Sequence, residues 1–555
     1  MPTISVEQSL LKILVESRGR VHDIEDLAQR LPLIGCDIDS CDEQNLEVEI
    51  FPDRPDLLSA ETLVHGILPF LHDSPPMPNL AVQPGTISVK VAKDLESIRP
   101  VILAAVVRGV EVDDAIIKRL MEHQEKLHFS LGRRRRRASI GVHDLAKITP
   151  PFKVVSVDRN YSFTPLAMTE PMTIDEILES HPKGKDYSHL LAGMERVPVI
   201  LDANDEVLSF PPIINSDHTT VTTTTRDLFI DVTGWDQRAC EASLMLICLQ
   251  LAAMGGRVEE VRIKGCKGDN WRINGTPVVH KVTRQLVEGV LGIKLKDSEI
   301  SSAIARMGGI YNGEEKGILS ISMPRWRFDI LHPIDLVEEV AIGHGYDDLS
   351  HDVPKAPLTA IPRDDGHLRR RIRESLQGLG LMQIQSLTLS NDSDQFNTMG
   401  WKPEGEVTRM TNPITTEHTI LRQNILPGLF RLLAANRHHE LPQGVYELGS
   451  VVIDHNNRDR FAFLVAEARG GFAALRGRLQ AMMRDLGCSN WTMVPCEDGP
   501  WLKGRSADIF IGGQKVGQCG EIDPNVGLKF ELNVPMNGAQ FDLKELGKMV
   551  RDPVH

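Results

Sequence analysis

The stretch MPRWRFDILHPIDLVEEVAIGHGY, residues 323–346, is the part of the sequence that most strongly decides the fold. Pro333 is well suited to a first helical turn, and the glycines near the end of the stretch are typical helix terminators, so a short helix is predicted between them. Asp335, Glu338 and Glu339 are spaced i, i+3 and i+4, which predicts that their carboxylates share one face of this helix.

Two interpretations of these carboxylates stay open on pattern alone. With Asp329, which lies just before the helix, four acidic side chains offer the oxygen ligands that a hard divalent cation such as Mg²⁺ prefers. Acidic residues at a helix start are also favoured by the helix dipole, and they are then simply solvated. Oxygen-ligand spacing is far less diagnostic than cysteine spacing, so the pattern does not decide between them.

The whole chain has the composition of a soluble globular protein. It has 555 residues, of which 41% are hydrophobic and 25% charged, and this length corresponds to about three to five domains. The formal net charge is -14, so a contact with RNA is expected only through local basic patches or a more basic partner, and no binding to DNA is expected.

Cysteine usage and hydropathy indicate a cytoplasmic protein. The 8 cysteines include no CxxC pair, which indicates reduced thiols rather than a zinc ribbon or a disulfide framework. The N-terminus lacks the features of a signal peptide, and the most apolar stretch, residues 242–254, is too short to span a bilayer. We therefore expect no association with a membrane.

Two proline-rich stretches, residues 73–85 and 353–366, are typical of linkers between domains. They predict a multidomain α+β protein, and helical or strand periodicity predicts the elements within each domain. The predicted domains are residues 1–85, a mainly β domain at 86–270, a smaller unit at 271–352 and a mixed α and β module at 360–555.

The stretch FPPIINSDHTTVTTTTRDLFIDVTGWD, residues 210–236, is rich in polar groups that suit a binding pocket. If DLFIDVTG is a strand, Phe229, Asp231 and Thr233 share one face, and a carboxylate beside an aromatic ring suits a phenolic ligand. The threonines also fit an exposed β edge, Asp231 also fits a turn cap or a pair with Arg226, and His218 also fits a solvated loop. No nucleophile–base pair of recognisable spacing is present.

The pattern RxDI…DLxEEVAxxxGY within residues 327–346 resembles the B5-domain signature of phenylalanine–tRNA ligase β subunits of the archaeal type. Residues 132–152, 181–191 and 210–236 resemble the B3/B4 editing module of that family. The stretch FPDRPDLLS at 51–59 resembles its B1 signature, and residues 411–453 resemble its catalytic-like module. The resemblance therefore extends over essentially the whole chain.

The resemblance implies a fold and a metal site. It implies a B1-like N-terminal domain, a B3/B4-type editing domain, a B5-type winged or helical small domain and an inactive class II synthetase core with an antiparallel sheet. In the family, two aspartates and two glutamates of B5 are assigned to a magnesium ion. They match Asp329, Asp335, Glu338 and Glu339, while Ile342 stands where the family usually has an arginine.

The resemblance also implies an editing pocket and an RNA contact. The implied pocket residues are Asp231, Thr233, Arg226, His218, Ser209 and Asn215, acting through a positioned water rather than a protein nucleophile. The arginine run, Arg133, Arg134, Arg135, Arg136 and Arg137, is a concentrated positive patch that suits tRNA phosphates. A solvated loop explains the same run equally well.

The function implied is that of the β subunit in an α₂β₂ ligase that attaches phenylalanine to tRNA(Phe) with ATP. ATP and phenylalanine would bind the α subunit, because YELGSV at 446–451 is followed by no motif 2 arginine–glutamate pair and no glycine-rich motif 3 with its arginine occurs. This chain would hydrolyse mischarged tyrosyl-tRNA. The alternatives are a scaffold subunit whose editing pocket has decayed and a free-standing trans-editing deacylase.

Overall fold

The computed structural model describes residues 2–265, 270–349, 360–361 and 363–550. Within them the chain forms two units, Met1–Pro354 and Lys355–His555. The second proline-rich linker lies mostly outside the described residues, as do the end of the predicted third domain and the last five residues of the chain. The division of the first unit into three domains stays a prediction.

The N-terminal segment is a three-stranded antiparallel sheet with helices packed against it. Leu46, Val48 and Ile50 are buried on one face of the central strand, as their alternation predicts. FPDRPDLLS forms a 3₁₀ turn at Pro55–Leu57, and Ser59 caps the helix that follows. The elements are β1 (Thr3–Glu7), α1 (Gln8–Glu16), α2 (Ile24–Arg30), β2 (Cys36–Cys41), β3 (Asn45–Ile50) and α3 (Ala60–His72).

The next segment is built on two sheets. The elements are β4 (Val82–Gln83), β5 (Ser88–Val91), β6 (Val101–Arg108), α4 (Asp114–Phe129), β7 (Ala138–Asp144), β8 (Phe152–Asp158), β9 (Ser162–Phe163), β10 (Met172–Thr173), α5 (Ile174–Ser180), α6 (Pro182–Tyr187), β11 (Arg196–Leu201), β12 (Val207–Phe210), β13 (Ile214–Asn215), β14 (Asp227–Gly234), α7 (Gln237–Ala253), β15 (Arg257–Glu260) and β16 (Arg262–Lys264).

The two sheets face each other across an apolar layer. One has the strand order β4-β15-β6-β14-β7 and the other β13-β12-β11-β8-β5-β16. Val106 and Phe229 of the first sheet pack with Phe152 and Ile200 of the second. The opposite face of the five-stranded sheet packs on α7. Both faces of this sheet are therefore buried, which explains why β6, β7 and β14 are nearly continuous runs of buried residues.

The segment around residues 278–344 contains β17 (Val278–Thr283), α8 (Arg284–Leu291), α9 (Asp297–Arg306), β18 (Ile310–Glu315), β19 (Ile318–Met323) and α10 (Pro333–His344). Its strands form an antiparallel sheet of order β17-β19-β18. Helix α10, which was predicted from Pro333, ends before Gly345, whose φ of 107° favours glycine.

The second unit contains α11 (Gly366–Gly378), β20 (Met382–Gln383), β21 (Leu389–Ser390), β22 (Ile420–Leu421), α12 (Leu426–Ala435), β23 (Gln443–Ile453), β24 (Asn456–Ala466), α13 (Phe472–Asp485), β25 (Trp491–Pro495), β26 (Trp501–Ile511), β27 (Gln514–Ile522), α14 (Pro524–Lys529), β28 (Met536–Asp542) and α15 (Leu543–Met549). Seven of its strands form a sheet of order β20-β23-β24-β28-β27-β26-β25, in which every pair is antiparallel except β20 with β23. Helices α11, α13 and α15 contribute to one core and α12 to another.

The mixed α and β content agrees with the α+β prediction. Among the described residues, no helix is long and apolar enough to cross a membrane. Seven of the cysteines lie in the described residues, and all seven are free thiols.

Candidate active site

The face of the five-stranded sheet that looks toward the six-stranded sheet carries a row of polar groups. In β14, Phe229, Asp231 and Thr233 lie on this face, as their alternate spacing predicts, and each is at most 3% exposed. Their partners in register on β7 are, in the same order, His143, Gly141 and Ser139. Two adjacent strands thus present several hydrogen-bonding groups to the space between the sheets.

Asp231 is a buried carboxylate whose direct partner is a histidine. Its Oδ2 lies 2.8 Å from Nε2 of His143, and Nδ1 of that ring lies 2.8 Å from Oγ1 of Thr219. His143 and Thr219 are fully buried. The second oxygen, Oδ1, accepts no hydrogen bond from the part of the chain that the structure describes. One carboxylate oxygen is therefore fixed and the other is free to accept a hydrogen bond from a ligand.

The order Thr219–His143–Asp231 has the connectivity of a nucleophilic triad, but burial argues against that function. A nucleophile must reach the reacting carbon of its substrate, and Thr219 is 0% exposed. Its hydroxyl also lies 3.1 Å from the carbonyl oxygen of Ser216. These three linked residues therefore have the opposite roles: Thr219 orients the ring of His143, and His143 holds the carboxylate of Asp231 in place.

Gly141 makes room for this carboxylate. A Cβ atom at this position would lie 2.1 Å from Oδ2 of Asp231 and 2.9 Å from Nε2 of His143. Those distances are far below van der Waals contact, so any larger residue at 141 would displace the pair. The glycine is required here for space and not for an unusual backbone conformation, because its φ is not positive.

Ser209 and Asn215 supply the opposite wall of the site. Ser209 pairs in register with Asn215 and with Ile200, a residue of the apolar layer between the sheets. Residues directly opposite in antiparallel strands point to the same side, so both side chains face the sheet that carries Asp231. Nδ2 of Asn215 reaches the carbonyl oxygen of Val142 at 3.4 Å. Oγ of Ser209 is buried and has no hydrogen-bond partner.

His218 presents a hydrogen-bond acceptor to the same region. Its Nδ1 lies 3.1 Å from Oγ of Ser216, and that hydroxyl donates to the carbonyl oxygen of Thr164. Because the hydroxyl proton is used there, Ser216 accepts from Nδ1–H, which leaves Nε2 unprotonated in the neutral ring. This Nε2 is buried without a partner. Burial lowers the pKa of His218, so the neutral ring is favoured near pH 7.

Thr233 is engaged in the structure of the site rather than free to bind a ligand. Its Oγ1 accepts from Nε of Arg99 at 2.7 Å and lies 3.0 Å from Oγ of Ser139. Arg99 also donates to the carbonyl oxygens of Thr233 and Arg135. Burial lowers the pKa of Arg99 to about 10. This guanidinium ties the end of β14 to the arginine run.

Arg226 is not brought to this group of residues. It is exposed, and its guanidinium donates to the carbonyl oxygens of Thr223 and Thr225. The alternative pairing of Arg226 with Asp231 is absent, since the carboxylate is bonded to His143.

The arginine run is split between anchored and exposed residues. Arg135 is buried: its guanidinium donates to the carbonyl oxygen of Ile213 at 2.8 Å and to Glu125 at 2.6 Å. Arg137 pairs with Asp236. The remaining three, Arg133, Arg134 and Arg136, are exposed.

The four carboxylates near α10 are separated from one another. Asp329 and Glu339 both bond to Arg327, with Nη2 at 2.6 and 2.5 Å from their nearest oxygens. Asp335 instead accepts from the backbone N–H groups of residues 331 and 332 at the start of the helix. Glu338 is exposed.

In this arrangement the four side chains do not fit a shared metal ion. Within the described residues, no group of three or more histidine, cysteine, aspartate or glutamate side chains is placed to hold one. Binding of magnesium would require Arg327 to release both of its carboxylates, and the magnesium site stays a prediction.

Arg327 belongs to a buried charged cluster that joins two signatures of the sequence. Arg54 and Asp56, from FPDRPDLLS, form a bidentate ion pair: Nε and Nη2 of the arginine each lie 2.9 Å from one carboxylate oxygen. Both side chains are buried. They line the same small cavity as Arg327. The two signatures therefore meet in the fold although more than 250 residues separate them.

The sequence does not single out His143, Thr219, Gly141 and Arg99. The sequence of β7 does carry a signal for Gly141 and His143. Together with Ser139 they occupy every second position in a run of seven buried residues. Polar residues and a glycine at every second position of a buried strand indicate a polar face. No local pattern points to Thr219 or Arg99.

Family models match three successive parts of the chain. A B3/4 domain model matches residues 87–250, a tRNA synthetase B5 domain model matches 280–346, and a model of the phenylalanyl tRNA synthetase beta chain CLM domain matches 349–543. The phenylalanine–tRNA ligase β subunits of Methanococcoides burtonii and Archaeoglobus fulgidus are each 37% identical, over 98% of this chain and 100% and 98% of their own lengths.

A solved structure is similar as well. An N-terminal fragment of the phenylalanyl-tRNA synthetase β subunit from Pyrococcus horikoshii is 32% identical, with a TM-score of 0.58. The match covers 62% of this chain and 100% of the fragment.

Gly141→Ala is expected to lower the free energy of unfolding of the first unit by about 1–3 kcal/mol, the usual range for overpacking a tight interior. Chemical denaturation followed by circular dichroism measures it. Gly289→Ala is the matched control, because nothing lies within 4 Å of a Cβ at that position. An unfolding free energy unchanged by Gly141→Ala would mean that Asp231 does not lie over this glycine.

Arg327→Met is expected to lower the free energy of unfolding of the first unit by about 3–5 kcal/mol, because it leaves two largely buried carboxylates without their cation. EDTA is expected to leave the thermal midpoint of the unmodified chain unchanged. A midpoint that falls with EDTA and recovers with Mg²⁺ would instead show that a bound ion holds these carboxylates.

Proposed function

The chain belongs to the family of phenylalanine–tRNA ligase β subunits, and on that premise we propose that it removes tyrosine from mischarged tRNA while the α subunit makes the correct ester. Relatives of the chain are subunits of a ligase complex, and the name β subunit implies an α-subunit partner and tRNA. The cytoplasm, where translation takes place, is the proposed location.

The observation that carries the editing proposal is the carboxylate of Asp231, fixed at one oxygen and free at the other. Tyrosine differs from phenylalanine by one hydroxyl, and an apolar pocket cannot strongly reject a ligand that merely adds a hydroxyl. A site with a buried acceptor selects tyrosine, because phenylalanine would leave that acceptor unpaired. We assign Oδ1 of Asp231 to the phenolic hydroxyl.

The opposite wall supplies groups that suit a water molecule and the ester. Ser209 Oγ and His218 Nε2 are buried polar atoms without partners, and such atoms in a native fold are usually satisfied by water or a ligand. Nε2 of neutral His218 can accept a proton from a water that attacks the ester carbonyl, and can then give it to the ribose oxygen of the RNA as the ester bond breaks and tyrosine is released. Ser209 then orients the water or the ester, and no protein nucleophile takes part.

Aminoacylation itself is assigned to the complex. We propose that ATP and phenylalanine bind the α subunit and that the second unit of this chain, an inactive class II core, serves assembly into an α₂β₂ heterotetramer. Exposed apolar side chains on that unit support a protein partner: Met382 is 69%, Leu387 65% and Ile414 100% exposed. Such side chains are expected at a surface that another chain covers.

Magnesium enters this proposal only at the level of the complex. Phenylalanine–tRNA ligases are typically Mg²⁺-dependent, and the ion neutralises phosphate charge during ATP chemistry. No editing step requires it, because the proposed hydrolysis uses side chains of this chain alone.

Asp231→Ala is expected to slow deacylation of tyrosyl-tRNA about 10- to 150-fold, the loss that corresponds to one hydrogen bond to a charged group. Phenylalanylation by the reconstituted complex should be unchanged. Asp186→Ala, which removes an exposed carboxylate of the same domain, is the matched control. If the unmodified complex charges phenylalanine but does not deacylate tyrosyl-tRNA, the chain is a scaffold subunit without editing.

The pH dependence tests His218. Its pKa lies below the ordinary value of 6.5 because of burial, so more than half of the proposed base is neutral at pH 6.5. Deacylation, corrected for spontaneous hydrolysis, should therefore keep more than half of its rate at pH 6.5 and fall to half only at lower pH. His218→Gln should lose about 10²- to 10⁴-fold in rate together with this decline. A rate unaffected by His218→Gln would exclude His218 as the base.

A further inference from the structure

The five consecutive arginines fold into a turn whose backbone is unusual for this residue type. Arg133, Arg134 and Arg135 have φ values of 44°, 54° and 64°, a left-handed conformation that costs non-glycine residues about 1 kcal/mol or more each. Arg135 and Arg137 anchor the turn through Glu125 and Asp236. The anchored conformation holds Arg133, Arg134 and Arg136 outward.

Exposed aromatic residues are attached near both ends of this turn. Phe129 is 54% exposed, and the guanidinium of Arg134 lies 5.8 Å from the centre of its ring. Trp235 is 49% exposed, and its backbone N–H donates to the carbonyl oxygen of Arg137. Arginines interleaved with exposed aromatic rings are the combination that binds single-stranded nucleic acid, because the cations contact phosphates and the rings stack on bases.

The turn is tied directly to the site that contains Asp231. Arg99 donates to the carbonyl oxygen of Arg135 at 3.1 Å and to Oγ1 of Thr233 at 2.7 Å. Arg135 donates to the carbonyl oxygen of Ile213, two residues before Asn215. A strand of RNA held on this turn would therefore lie next to the residues that surround Asp231.

We propose that Arg133, Arg134 and Arg136, with Trp235 and Phe129, bind the single-stranded 3′ end of an aminoacylated RNA and lead it to the site that contains Asp231. The inference rests on the proposed function for the identity of the RNA. A single strand is favoured over a duplex, since bases inside a helix are already stacked and offer no free face to an aromatic side chain. The local positive charge is opposite to that of the phosphates, although the chain carries a net charge of -14.

The experiment measures the affinity of the reconstituted complex for uncharged tRNA at several salt concentrations. Two RNAs are compared, one intact and one shortened by its unpaired 3′ nucleotides. In a plot of the logarithm of the association constant against the logarithm of the salt concentration, each contact with a single-strand phosphate contributes about 0.7 to the slope. The triple variant Arg133→Ala/Arg134→Ala/Arg136→Ala removes three such contacts and should make the slope shallower by about 2. Trp235→Ala should weaken binding roughly 5- to 150-fold at an unchanged slope, and Trp235→Phe should retain most of the affinity.

The shortened RNA and a control variant make the result decisive. Neither set of substitutions should change the affinity for the shortened RNA. Arg262→Ala, which removes an exposed arginine on β16, should leave both affinities unchanged. Equal losses of affinity for both RNAs would overturn the inference, because the surface would then bind duplex RNA. Variants that bind intact RNA with wild-type affinity would also overturn it, because the surface would then serve another partner, such as an acidic protein segment.

The outcome is independent of editing. If the substitutions weaken binding of intact RNA as expected but the unmodified complex does not deacylate tyrosyl-tRNA, the RNA surface stands and the editing proposal fails. If deacylation is present and binding is unaffected by the substitutions, editing stands and this surface is not the route of the RNA.

Discussion

The hydrogen bond between His143 and Asp231 is the constraint on which the site depends. Burying a carboxylate away from water is costly unless it is paired or hydrogen-bonded, and here the direct partner is a fully buried imidazole rather than an arginine or lysine. Gly141 provides the space, and Thr219 fixes the other end of the ring. A fold gains little stability from such a group, so its presence between two sheets is best understood as a binding feature that the surrounding structure holds in place.

The cost of burying a charge also distinguishes the carboxylates near α10 from Asp231. Near α10, Asp329 and Glu339 both form ion pairs with Arg327, so both carboxylates have a partner within the fold. Between the two sheets, Asp231 keeps one oxygen without a protein donor, and Ser209 and His218 also have unpartnered atoms. Buried polar atoms without a partner call for water or a ligand, which is why these residues and not the charged cluster are the proposed site of chemistry.

Local patterns in the sequence predicted individual helices and strands. They did not predict which residues distant in sequence contact one another. Helix α10 and strand β14 were predictable because capping residues and alternation are encoded within a few neighbouring positions. The helix that carries Glu338 and Glu339 is present, but their surroundings did not follow from the spacing: Glu338 is exposed and Glu339 is buried against Arg327. The partner of Asp231 lies 88 residues away in sequence, and only the pairing of β7 with β14 brings it near. The division of the arginine run likewise depends on Glu125 and Asp236, which no spacing rule connects to it.

The most direct measurement is a structure of the complex with a non-hydrolysable ester analogue that carries tyrosine on the 3′-terminal adenosine. The account predicts that the phenolic oxygen lies within hydrogen-bonding distance of Oδ1 of Asp231, with the bond from Oδ2 to His143 intact and the ester near Ser209 and His218. A tyrosyl group bound elsewhere, or an Asp231 carboxylate that stays buried and bonded only to His143, would contradict it.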